Sequence, residues 1–270
     1  MTKTAVLRKL VAIRFTRRIL LLALRSFQHN DKLADINNDL FPKLDHESAL
    51  ESIRELGYFK DFTLSKSHLQ KLIDRCQNHS VIAKGDRAKL IKVDYYNPKN
   101  PHLDECQYDY GDIEGWKEVD DIVKSNKILN IARSYLGVEP VVHNTTIWWS
   151  FPLLTQDGDI IETHYYGYHY DIDDVKFLKL FIYLNDVDDK TGPHVVISGS
   201  HRKRSWKTIL NRRLNNDVAE RWFNNRSVKI VGEAGSAFFE DTFAYHKGTT
   251  PINPRLVFQV EYGIMKDKLG

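Results

Sequence analysis

Residues 175–184 read VKFLKLFIYL, a run dense in β-forming residues that suits a buried strand. Directly ahead of it stands Tyr168-His169-Tyr170-Asp171. His169 and Asp171 are two residues apart, so on extended backbone both side chains leave the same face. A further histidine, His246, follows 75 residues after Asp171. Two imidazoles and one carboxylate, with other positions left open, form the donor set of a non-haem iron(II) site. A chain that carries such a set needs strands rigid enough to hold three ligands together.

His-x-Asp occurs twice, and the surroundings separate the two copies. His102-Leu103-Asp104 follows Asn97-Pro98-Lys99-Asn100-Pro101, a proline-broken polar loop with no strand to fix ligands. His169 instead enters the 175–184 strand. Asn185-Asp186 then marks a turn, followed by Thr191-Gly192-Pro193-His194-Val195-Val196-Ile197-Ser198-Gly199-Ser200-His201-Arg202. His164 competes as a ligand, but five residues from His169 it would not share that strand face, so it reads as a pocket-wall or structural histidine.

Residues 168–202 resemble the core of the phytanoyl-CoA dioxygenase-like family, a branch of the Fe(II)- and 2-oxoglutarate-dependent oxygenases. The likeness rests on the His-x-Asp, the hydrophobic strand and its Asp-containing turn, the Gly-Pro turn, and Gly199-Ser200-His201-Arg202. It continues through Gly235-Ser236-Ala237-Phe238-Phe239 to His246, then Pro254-Arg255 and a last strand. It is good over about residues 139–264, weaker from about 45 to 136, and leaves out residues 1–40. The resemblance implies that His169, Asp171 and His246 hold Fe(II), and that 2-oxoglutarate and O2 take the open positions. Arg255, nine residues past His246, would bind the far carboxylate of 2-oxoglutarate through two parallel hydrogen bonds, which lysine would not reproduce. Thr249 is a second contact candidate for that carboxylate. The implied reaction is hydroxylation of an unactivated C–H in a small-molecule metabolite, lipid or glycan precursor, with succinate and CO2 as co-products. Halogenating relatives lack the carboxylate ligand, so Asp171 favours hydroxylation over halogenation; desaturation, ring closure and epimerisation stay open. Each residue also has a structural reading: His169 and Asp171 as a buried pair, His246 in a core, Arg255 in a salt bridge. A non-catalytic cupin-like module that binds a metal or ligand is the alternative from another functional class.

At 270 residues the chain can build one sizeable core, and 42% hydrophobic content is ordinary for a globular protein. Cys76 and Cys106 fit no metal or redox spacing, which points to a reduced, cytoplasmic setting. The net charge of +3 conceals an asymmetry. Lys3, Arg8, Lys9, Arg14, Arg17, Arg18 and Arg25 precede the first acid, Asp31, and the rest of the chain is acidic by about four charges. Residues 5–27 read as a basic amphipathic helix whose longest apolar run, 19–24, is too short to span a bilayer. Three readings stay open for it: packing on the domain or a second subunit, peripheral contact with an anionic membrane surface, or organelle targeting. Nucleic-acid binding is excluded as the simplest reading, since no basic domain or stacking platform follows.

The division expected is a basic helix and connection over 1–40 and a single oxygenase domain over 41–270. Asp45 and Gly57 bracket a helix, and Ser65 can cap a second over 66–78. Residues 84–118 show no period and hold Tyr95, Tyr96, Tyr108, Tyr110 and Trp116, which could serve a substrate lid or pack as ordinary surface. A helix over 119–136 should break near Ser125-Asn126. Residues 206–214 and 217–224 look like two short inserted helices, with Lys203, Arg204, Lys207, Arg212 and Arg213 on a solvated face or contacting an anionic substrate group. The strands with helices outside them suggest a mainly β fold, a double-stranded β-helix of the jelly-roll, cupin-like kind.

Overall fold

The computed structural model describes residues 7, 10, 11, 13–27, 35–83, 90–97, 106–111, 113–155, 159–161, 167–202, 208, 209, 211–224 and 226–269. In chain order its elements are α1 (Arg14–Phe27), α2 (His46–Leu56), β1 (Tyr58–Thr63), α3 (Lys66–Gln77), β2 (Val81–Ala83), β3 (Leu90–Ile91) and β4 (Gln107–Asp109). Next come α4 (Lys117–Val123), α5 (Asn126–Leu136), β5 (Val141–Ser150), β6 (Tyr168–His169), β7 (Leu178–Tyr183), β8 (His194–Ile197) and β9 (Arg213–Leu214). The chain closes with α6 (Asn216–Phe223), β10 (Ser227–Ile230), β11 (Ser236–Glu240), β12 (His246–Gly248) and β13 (Arg255–Gly263).

The strands form two sheets. The larger runs β1-β11-β7-β13-β5-β4-β2-β3 and the smaller β10-β8-β12-β6-β9, with antiparallel neighbours throughout. The architecture is the double-stranded β-helix expected from the sequence.

Strand alternation divides the side chains into layers. On β7, Leu178, Leu180 and Ile182 enter the core shared with the helices, while Phe181 and Tyr183 enter a separate cluster with Val196 of β8 and Val257 of β13. β13 divides likewise: Leu256, Phe258, Val260 and Tyr262 belong to the helix-side core. The space between the sheets is thus lined by the alternate set. A third cluster lies outside the smaller sheet and joins Tyr168, Tyr170, Val195, Ile197, Phe243 and Tyr245 to Val11 and α6.

The flanking helices form for local reasons. Asp45 accepts a hydrogen bond from the Ser48 amide at 2.9 Å, and α2 stops at Gly57, whose φ is 88°. A Cβ there would also sit 2.7 Å from His201 Nδ1, so the turn needs glycine twice over. The Ser65 side chain makes no capping bond, so α3 begins without one. The break near Ser125 separates α4 from α5.

Two expectations are corrected. Residues 213–214 form strand β9, paired with β6, where a helix had been expected. Tyr108, Tyr110 and Trp116 are buried in the helix-side core and serve as packing: β4 pairs with β5 and carries Tyr108 inward, the Tyr110 amide bonds the Ile147 carbonyl just past it, and Trp116 stands at the start of α4. Tyr95 is half-buried, with its hydroxyl on the Leu184 carbonyl, and Tyr96 is exposed. His102, Asp104, His164, Lys203, Arg204, Trp206 and Lys207 lie outside the described residues.

Candidate metal centre

β6 and β12 are neighbours, and their register sets His169 directly opposite His246. The ring centroids stand 4.4 Å apart. Just past β6 the Asp171 amide donates to the Thr242 carbonyl at 2.8 Å, which holds the carboxylate beside the two rings. One ligand atom from each of His169, Asp171 and His246 lies within 4.8 Å of the others, the one such cluster among the described residues. Asp171 Oδ2 is 3.6 Å from His246 Nε2, and Oδ1 is 4.0 Å from His169 Nε2.

The imidazoles are oriented by one repeated device. His169 Nδ1 is 3.0 Å from the Gly167 carbonyl and His246 Nδ1 is 3.0 Å from the Ala244 carbonyl, each two residues back. A carbonyl only accepts, so both Nδ1 atoms carry a proton, and Nε2 is the atom of each ring that faces Asp171. Burial, then the charge of His169, pulls the His246 pKa down to about 4, so this ring is neutral near pH 7. Burial pushes the Asp171 carboxyl up, but the Lys179 ammonium and the two imidazoles outweigh it and hold it well below the usual carboxylate range. Two imidazoles anchored through Nδ1 and one ionised carboxylate fit a divalent transition metal.

Lys179 was not expected here. Its Nζ is buried and lies 2.8 Å from Asp171, 3.1 Å from Asp173 and 3.4 Å from Glu261. Burial favours the neutral amine, but Asp171, Glu261 and Asp173 together drive its pKa well above the ordinary lysine value. The only sequence signal was a charged residue inside an apolar run. His194 and Glu240 were also missed. Glu240 is fully buried, 3.8 Å from His246 Nδ1 and 2.6 Å from His194 Nε2. Burial pushes its pKa up to about 8 and pulls that of His194 down to about 3.

The three clustered residues, Lys179 and His194 open on a cavity of about 230 Å³, lined also by Arg255, Phe181, Trp148, Ser150, Gln107, Gln259, Cys106 and Gly248. Arg255, the first residue of β13, shares this cavity with the three clustered residues. Its Nη1 donates to the Gly192 carbonyl, and its Nη2 lies 3.4 Å from Ser150 Oγ. The Thr249 hydroxyl donates to the Pro193 carbonyl at 2.8 Å and is not among the described lining residues. Arg212 donates to the Tyr170 carbonyl at 3.0 Å and so braces the strand behind the cluster, while Arg213 is exposed.

No family model matches the chain. Over 118 residues it is 29% identical to a probable alpha-ketoglutarate-dependent hypophosphite dioxygenase of Stutzerimonas stutzeri. That match takes in 44% of this chain and 35% of the relative, so it spans about a third of the relative's length. Among solved structures the chain resembles SnoN, a non-heme alpha ketoglutarate dependent epimerase from nogalamycin biosynthesis, at a TM-score of 0.57 and 14% identity over 80% of this chain and 82% of that one. It also resembles HygX from Streptomyces hygroscopicus with nickel and 2-oxoglutarate bound, at a TM-score of 0.53 and 14% identity over 82% and 87%. At such identities these likenesses establish the fold.

Proposed function

We propose that the protein is an Fe(II)- and 2-oxoglutarate-dependent oxygenase that hydroxylates an unactivated C–H of a small molecule. One observation carries the reading: two imidazoles with both Nε2 atoms free of their backbone anchors converge with an ionised carboxylate in a cavity that also holds a buried arginine. The dioxygenase relative, the jelly-roll neighbours and the resemblance to the phytanoyl-CoA dioxygenase-like family support it. The catalytic unit is assigned to residues 41–270, with residues 1–40 as an appended basic segment.

His169, Asp171 and His246 would hold the iron. When bound, iron and 2-oxoglutarate would supply the oxidising power from O2, with succinate and CO2 as co-products. Everything else falls to the chain. Arg255 presents a fixed guanidinium to the distal carboxylate of the keto acid, with Gly192 and Ser150 setting its orientation. Thr249 would be a weaker hydroxyl partner, since its hydroxyl is already donated to the Pro193 carbonyl. Lys179 fixes one oxygen of Asp171 and neutralises the acids behind it. Phe181 and Trp148 make part of the cavity wall apolar, which helps to exclude water around the reacting carbon. The intact Asp171 carboxylate favours hydroxylation over halogenation.

The test is an anaerobic titration with Fe(II) and 2-oxoglutarate, read at the weak visible charge-transfer band of the chelate. The wild type should develop the band, His169→Ala should lose it, and Arg255→Ala should need more keto acid to reach it. A folded, metal-replete wild type with no band would replace this reading with a non-catalytic metal- or ligand-binding module.

A further inference from the structure

Helix α1 carries apolar side chains on two faces, and the inner one packs on the cluster behind the smaller sheet. Val11, just ahead of it, is fully buried among Tyr168, Tyr170, Phe243 and Tyr245, and Leu20 and Leu21 pack on the same cluster. The Arg17 guanidinium lies 4.1 Å from the centre of the Phe243 ring. This inner face covers the back of the sheet that carries His169 and His246. On the other side Phe15, Ile19 and Leu22 are 73, 52 and 59% exposed. Their spacing of four and then three residues makes one continuous stripe. Arg18, beside the stripe, is exposed too. A helix that only packed on its domain would turn a polar face to water.

We propose that this outer face of α1 docks on an anionic phospholipid surface, with Phe15, Ile19 and Leu22 entering the interface. Charge selects the occupant. Seven lysines and arginines precede the first acid of the chain. A surface of acidic headgroups attracts such a segment, whereas a second copy would set Arg18 and a basic segment against their own like charges, with no acid ahead of Asp31 to pair them. The helix is too short and too charged to span a bilayer, and no helix among the described residues is long and apolar enough to cross one. The geometry is that of a helix lying in the interface plane, with Arg18 at headgroup level and Phe15, Ile19 and Leu22 below.

The experiment is co-sedimentation of the full-length protein with phosphatidylcholine vesicles, with and without about one third phosphatidylserine. It compares wild type, the triple variant Phe15→Ser/Ile19→Ser/Leu22→Ser, and Arg18→Glu. Wild type should pellet with the anionic vesicles, should not pellet with pure phosphatidylcholine, and should be released by high salt. The triple variant should partition roughly tenfold less or weaker still, and Arg18→Glu several-fold less. Both should keep the wild-type unfolding midpoint, because the altered side chains face outward. Equal pelleting of wild type and triple variant, or no pelleting of wild type, overturns the proposal. So does a wild type that sediments as a dimer without lipid while the triple variant is a monomer, since a second copy would then own the stripe.

Discussion

Replacing Lys179 by methionine keeps the length of the side chain and removes a single buried charge. In the native protein that charge sits within 3.4 Å of three carboxylates, those of Asp171, Asp173 and Glu261. Breaking a buried ion pair by removing one partner costs about 3–5 kcal/mol, chiefly because the other charge is stranded. Glu261 keeps Lys268 at 2.9 Å and His143 at 3.1 Å, so the lower end, about 3 kcal/mol, applies. For a chain of this size the unfolding entropy is about 0.6 kcal/mol/K, so the midpoint of metal-free Lys179→Met should fall by roughly 5 °C near pH 7. The pH dependence has a definite sign. Asp171 has a folded pKa below its unfolded one, so its contribution is present above the unfolded value and lost as pH falls through the folded one. The variant lacks most of that contribution, so its gap to wild type should narrow as pH drops below about 4. A divalent cation at Asp171 restores positive charge, so Ni(II) should raise the variant's midpoint more than the wild type's. Thermal unfolding followed by circular dichroism reads all three effects. A variant within about 1 °C of wild type near pH 7, with the same response to Ni(II), would refute the charge-compensation argument.

Three further outcomes follow from other parts of the structure. Arg255→Lys should leave Ni(II) affinity unchanged but weaken 2-oxoglutarate binding at least about tenfold by calorimetry, because an ammonium cannot make two parallel bonds. Glu240→Gln removes a buried acid whose folded pKa, about 8, is above its unfolded value, so wild type loses stability as pH rises between the two. In urea unfolding of metal-free protein, the variant should gain on wild type by as much as about 1.4 kcal/mol per pH unit across that window. Gly57→Ala forces a side chain into a φ of 88° and towards His201, so it should destabilise by about 1–3 kcal/mol, measured by urea midpoint at unchanged m-value.

What the sequence made legible was local or strongly patterned. Asp45 and Gly57 announced α2, and the apolar run at 175–184 announced β7, because a cap or a buried strand leaves its mark within a few neighbouring residues. The His-x-Asp stood out because alternation puts both side chains on one face. What stayed hidden depended on partners far along the chain. β9 is only two residues long and exists because Tyr168 and His169 pair with it across more than forty positions. Lys179 looked like an interruption of a strand, and its meaning depends on Glu261, which β13 brings beside it. Tyr108 and Trp116 looked like loop aromatics because three-residue strands such as β4 leave no period to read.

Short strands raise a physical question that the tyrosines answer. β6 has two residues and β12 three, too few for their ladders alone to fix ligands in place. The residues flanking each ligand point the other way and are anchored there. Tyr168 shares a hydrogen bond with Ser227 at 2.8 Å, Tyr170 donates to the Ile209 carbonyl at 3.0 Å, and Tyr245 donates to the Thr208 carbonyl at 2.9 Å. All three rings are buried, in the same cluster that Val11, Leu20 and Leu21 complete. The position of the imidazoles is therefore set from behind, by packing that includes the N-terminal helix. A truncation at Asp31 would remove the basic segment and uncover the tyrosines at once, so lost vesicle binding and lost metal affinity would arrive together and could not be told apart. Substitutions on the outer stripe of α1 leave that packing in place, and for this reason they separate a surface role of the helix from its support of the site.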